Sequence, residues 1–150
     1  MVVVMRELTS CRRFKSGITY DRARDFLKAM DLLKSDLSGY RYSAALLGVH
    51  SAISYSDALR IGMGGRALSS EDHRQAAQDL RTLLATRKFE KGQGVDRLEK
   101  LLRLKSRVAY ASDGYGLDFS QIVQQAERFA AWAEDAGKQL SVEGWRNDRP

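Results

Sequence analysis

The chain has 150 residues, 43% of them hydrophobic and 29% charged. That fits one soluble domain able to bury a core without staples, and it excludes a wholly disordered chain. The net charge of +6 raises the expectation of a polyanionic partner, RNA or DNA first. Cys11 stands alone, so an intrachain disulfide is excluded and a reducing, cytoplasmic setting is expected. The apolar run Met1 to Met5 stops at Arg6, too short for a signal-peptide core or a membrane span.

Taken in chain order, a first helix is expected over about 20–37, with Ala23, Phe26, Leu27, Met30 and Leu33 at helical spacing and Thr19 as a cap. A second, over about 40–62, places Tyr42, Ala45, Leu46, Val49, Ala52, Ile53 and Leu59 on a broad apolar stripe. Gly62-Met63-Gly64-Gly65 breaks it. A third, over about 70–88, opens at Ser69 with acids in its first turn and buries Ala76, Ala77, Leu80, Leu83 and Leu84. A fourth spans about 95–111 and buries Leu98, Leu101, Leu102, Val108 and Ala109. A turn over 112–116 and a capping box from Asp118 to Gln121 open a fifth, over about 119–140, which turns Ile122, Val123, Ala126, Phe129, Ala130 and Ala133 inward. Proline occurs only at Pro150, so nothing interrupts these helices. The expected fold is an all-α, up-and-down bundle of four to five helices over 20–140, with an N-terminal arm (1–19) and a C-terminal tail (141–150).

Chemistry-bearing patterns are sparse. His50, His73 and Cys11 are isolated, and neither H-E-x-x-H, C-x-x-C nor a paired Glu-x-x-His motif occurs. No metal site and no cofactor are therefore expected. No nucleophile elbow G-x-S-x-G is present. His50 reads as a core or interface histidine and His73 as a neighbour of the third helix's cap. The glycines at 62, 64 and 65, with Arg66, follow a helix rather than a strand, and read as a linker rather than a phosphate loop.

The basic residues say more. On a wheel at about 100° per residue, Arg97, Lys100, Arg103 and Arg107 share one polar face of the fourth helix. Arg87, Lys88 and Lys91 precede that helix, and Arg12, Arg13 and Lys15 form a second cluster. Such a stripe can track a phosphate backbone, each contact releasing a counterion. It can equally be a solvated face offset by Asp96 and Glu99. Lys105 falls instead in the middle of the apolar face, where an ammonium must snorkel, pair, or face a cleft or subunit.

Three stretches resemble the HEPN superfamily of small helical proteins. They are the Ala-rich run from Tyr42-Ser43-Ala44-Ala45 to Ser56-Asp57-Ala58-Leu59, then Asp72-His73-Arg74 with Leu80, and then Leu104-Lys105-Ser106-Arg107-Val108-Ala109-Tyr110 before a glycine-containing turn. The resemblance covers about 20–136. Active ribonucleases of that superfamily carry an R-N-x-x-x-H type motif on this helix, at a dimer cleft. The matching positions here are Lys105, Ser106 and Tyr110. Lysine lacks the planar fork that grips phosphate, and tyrosine, with an ordinary pKa of about 10, is a poor base at neutral pH. What the resemblance implies is a catalytically silent homodimer that binds RNA, a nucleotide or a protein partner of nucleotidyltransferase type, in a defence, toxin–antitoxin or stress system. Two alternatives stand beside it. One is an active metal-independent endoribonuclease toxin using Lys105, Arg107 and Tyr110; the other is a purely structural bundle.

Overall fold

The computed structural model describes residues 2–65, 73–89, 93–110 and 116–145, apart from the side chains of 2–10 and His73. These residues form five helices and no strand: α1 (Val2–Lys34), α2 (Leu37–Gly62), α3 (His73–Thr86), α4 (Gln93–Tyr110) and α5 (Phe119–Gln139). The chain is an all-α bundle, as its periodicity predicts. Asp36 caps α2 by accepting the backbone N–H of Gly39, and Asp118 caps α5 by accepting that of Gln121 at 3.0 Å. The expected start of α3 at Ser69, Lys91 before α4, and most of the 112–116 turn lie outside the described residues.

α2 is the hub, touching all four other helices. Its Ala- and Ser-rich faces make that possible, because small side chains let several neighbours approach one axis. Ala44, Ala45, Val49, Ala52, Ala58 and Leu59 are all fully enclosed. A Cβ added at Gly48 would lie 2.8 Å from Met30 Sδ and 2.9 Å from Ala126 Cβ, so α1, α2 and α5 converge there on a bare backbone. Phe129, Leu80, Leu98 and Leu101 fill the remaining interior, each fully buried side chain contributing roughly 1.5–3 kcal/mol of transfer free energy. The inward residues expected of α5 are all buried. In α4, Leu98, Leu101 and Val108 are buried as expected, whereas Ala109 is exposed.

Side-chain pairs fix the helix directions. Tyr42 meets Phe119, Gly48 meets Ala126 and Tyr55 meets Glu134, so α2 and α5 run parallel. Gly94 lies against Trp132, Arg97 bonds Gln125 and Arg107 lies beside Gly116, so α4 runs antiparallel to α5. The start of α2, the start of α5 and the end of α4 therefore share one end of the bundle.

Of the arm and tail expected at 1–19 and 141–150, the described residues 2–19 and 141–145 differ from that expectation. α1 is one continuous helix from Val2, and its Ser16 and Gly17 are buried. After α5 the chain folds back, and Trp145 is only 9% exposed. Its indole stacks on Tyr20 with centroids 4.4 Å apart and donates its N–H to Ser16 Oγ at 3.0 Å. Ser16 in turn donates to the Ala58 carbonyl at 2.8 Å. A Cβ at Gly137 would meet the same indole at 2.5 Å. The inner face of α1 here is Ser and Gly, so it carries no apolar period. Contact with α2 and the returning tryptophan makes it interior.

Candidate functional site

α4 carries most of the residues singled out in the sequence. Lys100, Arg103 and Arg107 are exposed together on its outer face. Arg97 is half-buried and donates its Nε–H to Gln125 Oε1 at 2.9 Å, which ties it to α5. The two acids that might offset this stripe are engaged elsewhere. Arg81 on α3 reaches both Asp96 and Glu99 in a forked pair, and the Glu99 hydrogen bond leads in raising the pKa of its guanidinium. The carboxylates are thus drawn to the α3–α4 seam, and the outer face is left cationic.

Lys105 is half-buried and engaged within the fold. Residues two apart on a helix point about 200° from each other, so Lys105 and Arg107 occupy opposite flanks of α4. Tyr110, the last residue of α4, is 85% exposed. The helix thus brings Arg107 and Tyr110 to the solvent side and leaves Lys105 on the other.

At the same end of the bundle lies a cluster that the sequence pattern did not single out. Tyr42, expected in the core stripe of α2, is 39% exposed and meets Phe119 edge-on at 4.8 Å. Arg41 lies 5.4 Å from the Tyr42 ring and 5.6 Å from the Phe119 ring, a cation–π arrangement. Tyr40 is half exposed, and its φ of −128° and ψ of 27° kink the first turn of α2. Tyr42 lies after that kink and keeps helical register with the buried Ala45 and Val49, so it stays on the stripe but near the start of α2, where part of its ring is left exposed.

The opposite half of the bundle holds a buried polar junction. Glu134 accepts the hydroxyl of Tyr20 at 2.7 Å and that of Tyr55 at 2.8 Å, linking α1, α2 and α5. Burial and then Glu134 push both phenols well above the ordinary tyrosine pKa. A cleft of about 400 Å³ opens beside it, lined by Arg24, Leu27, Lys28, Tyr55, Ala130 and Glu134. Lys34 on its rim donates to Glu127 at 2.6 Å and lies 3.1 Å from Asp31. The titratable groups here mostly answer one another, which is the arrangement of a cross-brace.

His50 is half-buried and contacts Phe26 with ring centroids 5.9 Å apart, far along α2 from Tyr42. The His73 side chain and Arg66 lie outside the described residues, as does Lys91. Arg12, Arg13 and Lys15 are exposed, and Arg13 pairs with Glu143 at 2.6 Å. Among the described residues, no group of three or more His, Cys, Asp or Glu could hold a metal, and no helix is long and apolar enough to cross a membrane. Comparison of the chain with protein-family models, with curated proteins and with solved structures returns no match.

Proposed function

We propose that this chain is a catalytically silent, HEPN-like RNA-binding bundle that takes single-stranded RNA along the outer face of α4. One observation carries the reading: Arg81 occupies Asp96 and Glu99, while Lys100, Arg103 and Arg107 remain exposed together. Three exposed cations on one helix face suit a phosphate backbone, and their contacts release counterions. Homodimerisation through α4, a cytoplasmic setting and a role in a defence, toxin–antitoxin or stress system rest on the resemblance and on the lone Cys11. Silence rests on lysine and tyrosine standing at the motif positions, Lys105 and Tyr110, on different flanks of the helix.

Fluorescence anisotropy with a labelled single-stranded RNA at two salt concentrations tests the reading. Three phosphate contacts predict a log–log salt slope near about −2, and the double variant Arg103→Glu/Arg107→Glu should flatten it by about 1.4. Absence of binding at low salt, or an unchanged slope in the variant, overturns the RNA reading and leaves a nucleotidyltransferase-type protein partner as the ligand to seek. The same RNA should emerge intact after incubation. Cleavage that disappears in Lys105→Ala would instead identify an endoribonuclease.

A further inference from the structure

We infer that the outer face of α1 around Cys11 is a contact surface for a second copy of this chain, packed antiparallel about a two-fold axis at that residue. The contact is separate from the α4 face and needs no RNA.

Two opposite faces can be told apart on the first half of α1. Ser16, Gly17, Tyr20 and Ala23 are buried toward the rest of the bundle, and Cys11, Phe14 and Ile18 are exposed on the other side. Phe14 is 68% exposed and Ile18 43%. They lie one turn apart, so they form a continuous apolar ridge rather than scattered residues. Beyond Ile18 the same row turns to Arg22 and Asp25, both exposed, and the ridge stops. Toward the N-terminus α1 remains helical from Val2, and Leu8 and Val4 hold the next positions of that row.

Spacing and charge select the occupant. Val4 and Ile18 stand seven residues either side of Cys11, and Leu8 and Phe14 three residues either side. Two identical helices packed antiparallel about Cys11 set each position against its mirror, so apolar positions face apolar ones. The charges follow the same mirror. Glu7 and Lys15, four residues either side of Cys11, have opposite sign. Arg12 and Arg13 are mirrored by Ser10 and Thr9, and Arg6 by the buried Ser16, so no like charges are opposed over 4–18. A parallel pair would instead set every charge against its own copy. Self-complementary spacing and charge are what an isologous contact requires, because one patch must serve both sides. A lipid surface requires neither. The row spans roughly 21 Å of helix, which is short beside stable interfaces, so the dimer should dissociate on dilution through the micromolar range.

The sole cysteine makes the test specific, because a short bis-maleimide can join only Cys11 to Cys11. Sedimentation of the full chain should show a concentration-dependent dimer, with cross-linking over the same range. Phe14→Gln/Ile18→Gln should weaken the dimer by at least about 10-fold and reduce cross-linking in step. Both side chains are exposed, so the variant should fold, and labelling by a monofunctional maleimide should be no slower. Lys15→Glu should weaken the dimer several-fold, and Glu7→Lys/Lys15→Glu should restore it. A monomer at every concentration overturns the contact. So does a dimer that tolerates the glutamine variant, or one in which Cys11 does not cross-link, since another face such as α4 then pairs. A monomer that sediments with phosphatidylglycerol vesicles overturns it too, by making a lipid surface the occupant. None of these outcomes decides the RNA reading, which the anisotropy titration tests separately.

Discussion

Near the α5 C-terminus, polar groups are gathered inward and answered. Glu134 receives two phenols, Ser16 passes its hydroxyl to a backbone carbonyl, and Trp145 closes over both with its N–H satisfied. At the other end the same residue types are turned outward. Tyr40 and Tyr110 are exposed, Arg41 lies on two rings, and the nearby carboxylates serve as caps. Tyrosine at the first end is a structural donor whose loss strands a partner. At the second, Tyr40 and Tyr110 leave half or more of the side chain exposed. The contrast shows why residue type alone is a poor guide to role: neighbours decide whether a hydroxyl or guanidinium is already committed.

Trp145→Ala should cut deepest into this contrast. Emptying a slot lined by Tyr20, Tyr55 and Gly137 is expected to cost about 3 kcal/mol in urea denaturation, the low end for tryptophan truncation because the slot lies at a chain end. A loss below about 0.5 kcal/mol would mean that the returning tail is an appendage after all. Next comes Glu134→Ala, which leaves two part-buried hydroxyls without their acceptor and should cost about 2 kcal/mol. Glu134→Gln retains an acceptor oxygen, so less than half that loss is expected. Equal losses would show that charge rather than hydrogen bonding holds the junction.

The same network predicts an alkaline weakness. Burial first, and Glu134 with it, raises the folded-state pKa of Tyr20 and Tyr55 above the ordinary 10.0. Above that value the unfolded chain releases protons that the folded chain retains, so stability is complete below about pH 10 and falls as pH rises beyond it. Urea melts at about pH 8 and about pH 11, with tyrosinate absorbance as the second probe, should show folded-state ionisation lagging. Phenols that all titrate together near 10 would break the account. Smallest of all, Arg103→Glu/Arg107→Glu and Tyr40→Ala/Tyr110→Ala should each shift stability by no more than about 0.5 kcal/mol. A larger loss would mean that the exposed end is structural too.

The bundle was legible because its helices carry their own evidence. α3, α4 and α5 repeat apolar residues at 3.6-residue spacing, and Asp118 announces the start of α5. The cationic stripe on α4 follows from that same period. What the sequence hid had no period to read. Ser16 is interior because α2 and the returning Trp145 both pack on it, and Tyr42, on the stripe of α2, is left partly exposed near the helix start.

Sequence by itself therefore determined the all-α class, the helices α2 to α5 in their order and the cations on α4, all of which depend on residues within a few turns of one another. It missed the first half of α1, where Thr19, expected as a cap, lies mid-helix and donates to the Lys15 carbonyl. Tertiary structure alone decided which charges remain available. Arg81 draws away the α4 acids from another helix, and Glu134 meets tyrosines 114 and 79 positions distant. Pairings over such separations arise from how helices pack, and local spacing holds no record of them.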